Sequence, residues 1–244
     1  MLAAEAGELD TAFEAVDRIA GQYQANAPAM KADAVQKAVE SGPGGEESAR
    51  RLVEAARSTA GEAVAADDYP TANRLARMAV AAARKTKDSA LSREIGTWSR
   101  EVERLEKRFE QLKKNLELLA QDPENPDANL AVGRWYSMAV GRWERGLVYL
   151  AKGSDAALAG LAGRDLAAPS EPNARMELAN QWWELAEKQQ GEARTAMMSR
   201  AAHWYELALP DLTGLSKTQA EKRLEEFAAL SAGKASAGKK KGKY

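Results

Sequence analysis

The sequence predicts an all-α fold, an α-solenoid of stacked helix hairpins with one long central helix and a C-terminal capping helix. Three observations carry that prediction. Apolar residues recur every three to four positions through most of the chain, and no β-branched run alternates with polar residues as a strand would. Turn clusters such as Ser41-Gly42-Pro43-Gly44-Gly45, Asp67-Asp68-Tyr69-Pro70 and Asp122-Pro123-Glu124-Asn125-Pro126 cut the chain into helix-length pieces. The stretch Asn125 to Asp155 reads as two short helices joined by a tight turn. Such a hairpin cannot bury its apolar faces alone and needs neighbours stacked on it.

At the start, AEAGELDTAFEAVDRIAGQY places Leu9, Ala12, Phe13, Val16 and Ile19 at helical spacing. The spacing is that of a hairpin's second helix. The expectation is therefore that the reading frame extends upstream by a further helix of roughly 15–20 residues. After Asn26-Ala27-Pro28, a helix is predicted over Ala29–Glu40 with Met30, Ala34, Val35 and Ala38 inward. A hairpin follows, Glu46–Ala66 and Thr71–Arg84, with Asp68 as a plausible cap for its second helix. Its inward positions are Leu52, Val53, Ala56, Ala60, Ala63 and Val64 against Ala72, Leu75, Ala76, Ala79 and Ala83.

Ser89 to Ala120 is the longest predicted helix. Leu91, Ile95, Trp98, Val102, Leu105, Phe109, Leu112, Leu116 and Leu119 step by four and three without a slip, a sustained heptad stripe. The stripe packs along the preceding alanine-rich helix of the same chain, or it zips two copies into a coiled coil. The monomer is the favoured reading.

In the central hairpin Asn125 caps the first helix and Pro126 suits its first position. Leu130, Gly133, Tyr136 and Ala139 share one face. Gly141 breaks the run, and Trp143, Gly146, Leu147 and Leu150 form the apolar face of the second helix. Gly133 and Gly146 let the axes approach closely. Further on, Ser154 is expected to cap a helix over Asp155–Leu166. A longer hairpin follows, Glu171–Gln189 and Glu192–Leu209, and Ser216-Lys217-Thr218-Gln219 reads as a capping box for a final helix, Lys217–Leu230. The parts are residues 1–120, residues 121–230, and a lysine-rich tail, 231–244, expected to be disordered.

The central hairpin has the layout of a tetratricopeptide-like or Sel1-like unit with one extra residue in the turn. A wider resemblance rests on several phrases. They are AEAGELDTAFEAVDRIAGQY, AMKADAVQKA, ADDYPTANRLARMAVAAARKTKDSAL, the stretch from PDANLAVGRWY to LAKGSDAALAGLAGRDLAAP, and SRAAHWYELALPDLTGLSKTQAEKRL from Ser199. Together they resemble a helical-repeat region that recurs in multidomain proteins of planctomycete bacteria. The similarity covers nearly all of the chain except the lysine tail, and LAKGSD and ALPDLTGLSK are its most specific parts. The resemblance implies a tetratricopeptide-like fold beside another domain, such as a kinase, a formylglycine-generating-enzyme-like or a lectin-like module. It assigns no catalytic residue.

Composition narrows the function. Formal net charge is −1, but the tail from Ser231 carries five lysines and no acid, so the body before it is six charges negative. An acidic body argues against nucleic acid as the main partner. There is no cysteine, which excludes disulfides, thiolate metal sites and a cysteine nucleophile. His203 is the single histidine, so neither a catalytic triad nor a two-histidine metal site can be assembled. Carboxylates cluster at Asp67-Asp68 and at Asp122, Glu124 and Asp127 without the alternation of a calcium loop, and read as caps and turns. No phosphate-binding loop is present, and no apolar run approaches the ~20 residues a membrane helix needs. The sequence starts without a signal peptide, which makes the cytoplasm the default location.

These readings predict no enzyme, no cofactor and no metal. They point to a non-catalytic protein-interaction or scaffold module that binds a protein or peptide. The alternative is a structural spacer or oligomerisation element built on the long helix. Register with repeat arrays puts Asn173, Met176, Asn180 and Trp183 of the last hairpin on the partner-binding face, with Arg134 and Ser137 of the central one. Trp183 has two readings, a peptide anchor on that face or a residue packed under the Asp155–Leu166 helix.

Overall fold

The computed structural model describes residues 9–23 and 25–240, with side chains through Ala232. Among the described residues it is all-helical: eleven helices and no strand. None of those helices is long and apolar enough to cross a membrane. The chain divides into two compact units, Met1–Gln111 and Leu112–Tyr244. The division falls within the longest helix, not in the Asp122–Pro126 loop where composition suggests it.

Unit 1 contains α1 (Leu9–Tyr23), α2 (Ala27–Ser41), α3 (Glu46–Ala65), α4 (Tyr69–Ala83) and the first turns of α5 (Ser89–Gln121). The helix starts follow from side-chain chemistry. The Asn26 side chain accepts from the Ala29 amide at 3.1 Å and that of Asp68 from the Thr71 amide at 3.1 Å. Asp88 does the same for α5, accepting from Ala90 at 2.9 Å and Leu91 at 3.0 Å. Each cap satisfies amides that the first turn leaves without an intrahelical partner. Between α3 and α4 the chain reverses through Asp67 in the left-handed region, at φ 59°.

The α3–α4 interface is built from alanine. Ala56, Ala60 and Ala63 meet Ala72, Ala76 and Ala79, all fully buried, and small side chains let two helices lie close without voids. Leu52, Val53, Leu75 and Val35 fill the same core, and Ile95 and Val102 of α5 close it. The Tyr69 ring lies 4.5 Å from that of Phe109. Lys31 is buried, with its ammonium 2.8 Å from Asp17 of α1 and 3.0 Å from Glu62 of α3, so one cation ties three helices together. The predicted helix over residues 3–20 is helical from Leu9, and residues 3–8 lie outside the described residues.

Unit 2 contains the last turns of α5, then α6 (Pro126–Arg134), α7 (Trp143–Leu150), α8 (Ala156–Leu166), α9 (Pro172–Glu187), α10 (Gly191–Ala208) and α11 (Gly214–Lys240). The Asn125 side chain caps α6 through the Ala128 amide at 3.0 Å. α6 does not end cleanly but widens into a π-helical turn, Trp135–Ala139. One extra residue is accommodated there, and Gly141 at φ 72° then reverses the chain into α7. The two helices touch at their glycines. A Cβ on Gly133 would sit 2.7 Å from the backbone nitrogen of Leu150. One on Gly146 would sit 2.6 Å from that of Ser137.

Two helix starts and one helix end differ from expectation. Asp155, not Ser154, caps α8, accepting from the Leu158 amide at 3.1 Å. α11 begins at Gly214, so Ser216 lies inside the helix and the capping box is not its start. The α11 backbone continues to Lys240, so most of the segment read as a disordered tail is helical; residues 241–244 lie outside the described residues. α8 packs against both α7 and α9, α9 pairs with α10, and α10 also meets the π turn and α11.

Candidate functional site

The six residues read as a binding face separate into two groups. Arg134 is exposed at the end of α6, and its guanidinium meets Asp155 at 3.3 Å. Ser137 follows it in the π turn and is fully buried, with its hydroxyl facing Gly146 and no hydrogen-bond partner. Asn173 is exposed in the first turn of α9. Met176 belongs to the core, and Trp183 is 2% exposed.

The expectation that Ser137, Met176 and Trp183 offer side chains to a partner is therefore corrected, and the physical reason for Trp183 is α11. Arg223 of α11 lies over the Trp183 ring at 4.7 Å and reaches Glu187 at 3.6 Å. The indole N–H of Trp183 donates to Glu187 at 2.9 Å, one turn along α9. Asn180, half-buried beside it, accepts from the Tyr205 hydroxyl at 2.7 Å and from Gln219 of α11 at 3.4 Å. The final helix thus lies on the α9 face that register assigns to a partner. Burial pushes the Tyr205 hydroxyl up to about 12.

α8 instead supplies the most concentrated polar constellation of unit 2. Asp165, on its last turn, is fully buried as a side chain. One oxygen accepts from Arg200 Nη2 at 2.5 Å. The other accepts from Arg200 Nε at 2.9 Å, Trp182 Nε1 at 2.7 Å and Trp204 Nε1 at 3.0 Å. The guanidinium is flanked by the rings of Trp143 at 5.5 Å and Trp204 at 5.6 Å, and Trp143 meets Trp182 edge-on at 5.2 Å. A buried ion pair is stable only when further hydrogen bonds replace the lost water, and here both carboxylate oxygens are used. Side chains from α7, α8, α9 and α10 converge on this one point. Both carboxylate oxygens are held by protein donors, three of them on one oxygen, which fixes the four helices relative to one another.

A signal for Asp165 exists in the sequence. Leu158, Leu161, Ala162 and Asp165 share one helical stripe, so an acid stands where an apolar residue belongs. Arg200 likewise interrupts Met197, Ala201 and Trp204. An acid and a base, each on an otherwise apolar stripe, are candidates to pair in the core. His203, next along α10, is exposed; crowding by the protein and then Arg200 push its imidazole below the ordinary value. The acid clusters behave as turn chemistry. Asp68 is a cap, Asp122 accepts from the Glu124 amide at 3.3 Å, and Glu124 pairs with Lys152 at 2.5 Å.

No protein-family model, curated protein or solved structure matches the chain.

Proposed function

We propose that the chain is a non-catalytic protein-interaction or scaffold module of the tetratricopeptide-like helical-repeat type, and that it acts as a monomer. One observation carries this reading. Unit 2 repeats a helix hairpin, α6–α7 and then α9–α10, with the first closed by glycine contacts and the second by the Asp165 constellation. A repeated hairpin with a rigid interior serves to present side chains on its outer surface. Arg134 and Asn173 are the two candidate contact residues that remain exposed there. The Arg134–Asp155 pair is solvent-exposed, so exchanging Asp155 for a partner carboxylate costs little, within ~1 kcal/mol.

The monomer reading is supported by the heptad stripe. Ile95, Val102, Phe109, Leu112 and Leu119 are buried within the single chain, and Leu91, Trp98, Leu105 and Leu116 are half-buried. A second reading, a spacer, is favoured by the length of α5: 33 residues span about 50 Å at 1.5 Å per residue. Affinity capture separates the two. The whole chain should retain a defined protein partner, and Arg134→Glu combined with Asn173→Arg should lose it without a change in melting temperature. Capture that is indifferent to both substitutions favours the spacer.

A further inference from the structure

Between the first two turns of α10 and residues 227–231 of α11 lies a cavity of about 450 Å³. That falls within the size of small-molecule sites, roughly 300–1,000 Å³. Its apolar walls are Met198 of α10 with Phe227 and Leu230 of α11. Met198 is buried, but Phe227 is only half-buried and Leu230 is 47% exposed, so part of this apolar surface is left uncovered. The polar side chains of the lining are Arg194, Thr195 and Ser231, with no acid among them. Arg200 and Arg223, on the same two helices, meet Asp165 and Glu187. Arg194 meets no acid among the described residues. Glu192, two positions earlier, points to a different side of the helix. The cleft between α5 and α7 offers a contrast: its one cation, Lys152, is paired with Glu124 at 2.5 Å.

One uncompensated cation beside an apolar wall selects a ligand with one negative charge and an apolar body. A metal ion finds no carboxylate in this lining. A phosphate monoester brings close to two negative charges against one guanidinium. A peptide C-terminus brings an amide N–H and C=O with every residue, all needing partners. Of the two lining hydroxyls, that of Thr195 already donates to the Gly191 carbonyl at 3.1 Å. An aliphatic carboxylate asks for nothing beyond what is present. The planar guanidinium matches its two oxygens, and its stem needs only apolar contact. We propose that this cavity binds a medium-chain fatty acid, with the carboxylate on Arg194 and the stem along Met198, Phe227 and Leu230. Neither Arg134 nor Asn173 lines the cavity, so ligand binding here is independent of partner binding there.

The test is an NMR titration of the full chain with decanoate, kept below its micelle concentration. It is read on the Met198 methyl group, the Phe227 ring and the amides of Arg194 and Thr195. Saturable shifts at these groups are expected. Decanol, with the same stem and no charge, should bind about tenfold more weakly, the scale of one charge-assisted hydrogen bond. Acetate, the charge without the stem, should give no saturable shift. Arg194→Gln, at an exposed position, should fold and bind decanoate and decanol alike, and Leu230→Ser should weaken both. Equal binding of decanoate and decanol by the wild type, shifts away from the cavity, or a decanoate preference that survives Arg194→Gln overturns the proposal. Binding indifferent to Leu230→Ser does so too. A free-acid peptide, acetyl-Ala-Ala-Leu, that binds more tightly than decanoate would make the occupant a protein C-terminus and overturn it as well.

Discussion

Replacing Asp165 by alanine removes one carboxylate and strands three donor side chains at once. The Arg200 guanidinium, whose side chain is 9% exposed, keeps only the ring faces of Trp143 and Trp204. The Trp182 indole is fully buried and loses its acceptor, as does that of Trp204. Removing one member of a buried ion pair costs ~3–5 kcal/mol. Each stranded indole N–H adds ~1–3 kcal/mol, although the terms overlap and water entering the vacated space recovers part. A net loss of about 5 kcal/mol is expected, comparable with the whole stability of a small domain. Removing both charges, as Asp165→Leu with Arg200→Met, leaves only the two indoles unsatisfied. It should be more stable than Asp165→Ala alone by roughly 1 kcal/mol or more. Urea unfolding followed by tryptophan fluorescence is the assay. Five of the six tryptophans, all but Trp98, lie in unit 2, so the signal reports mainly on the unit perturbed. A loss below ~1 kcal/mol for Asp165→Ala, or a double variant less stable than the single one, refutes the reasoning.

Gly146→Leu should cost ~1–3 kcal/mol or more, since its Cβ would press on the Ser137 backbone; an unchanged melting temperature would show the hairpin to be looser than described. Asp68→Ala should cost ~1 kcal/mol at neutral pH by removing the cap on α4. Burial pushes the Asp68 carboxyl up, but hydrogen bonds from Asn26 and Thr71 outweigh it and hold the group below its ordinary value. Its contribution is therefore complete above the unfolded-state pKa and is lost as pH falls through the folded value, so the gap between variant and wild type should close below about pH 4; a gap constant into strong acid contradicts this. α1 fully buries only Ala12 and Val16 and leaves Ile19 41% exposed. Its amides from Thr11 to Ile19 should exchange faster than those from Trp143 to Leu150, and equal protection would show α1 to be an integral part of the unit 1 core.

Local rules made much of this fold legible. The inward positions named for α4, and most of those for α3, follow from spacing, because alanine-rich interfaces tolerate no large residue out of register; in α2 Ala34, Val35 and Ala38 are buried as expected, but Met30 is only half-buried and Lys31 and Ala32 are buried instead. Asn125 and Asp68 act as the caps their neighbours suggest. The π turn is foreshadowed by one residue too many between Gly133 and Trp143. Ser154 and Asp155 are both good caps, and only the geometry of the preceding turn selects the second. Trp183 was beyond reach for a different reason. Its surroundings depend on where α11 returns, some forty residues later, and no local pattern encodes that. Asp165 and Arg200 were legible as intruders on apolar stripes, but not as partners, because pairing across 35 residues is a tertiary fact.

The interaction reading is tested most directly by placing a photo-reactive amino acid at Asn173, on the first helix of the second hairpin, and separately at Ser199, exposed on the second helix. After irradiation in a lysate, cross-linked peptides are identified by mass spectrometry. The reading predicts a small, reproducible set of partner peptides from Asn173 and no such set from Ser199. No cross-links from Asn173, or the same non-specific spectrum from both positions, would contradict it.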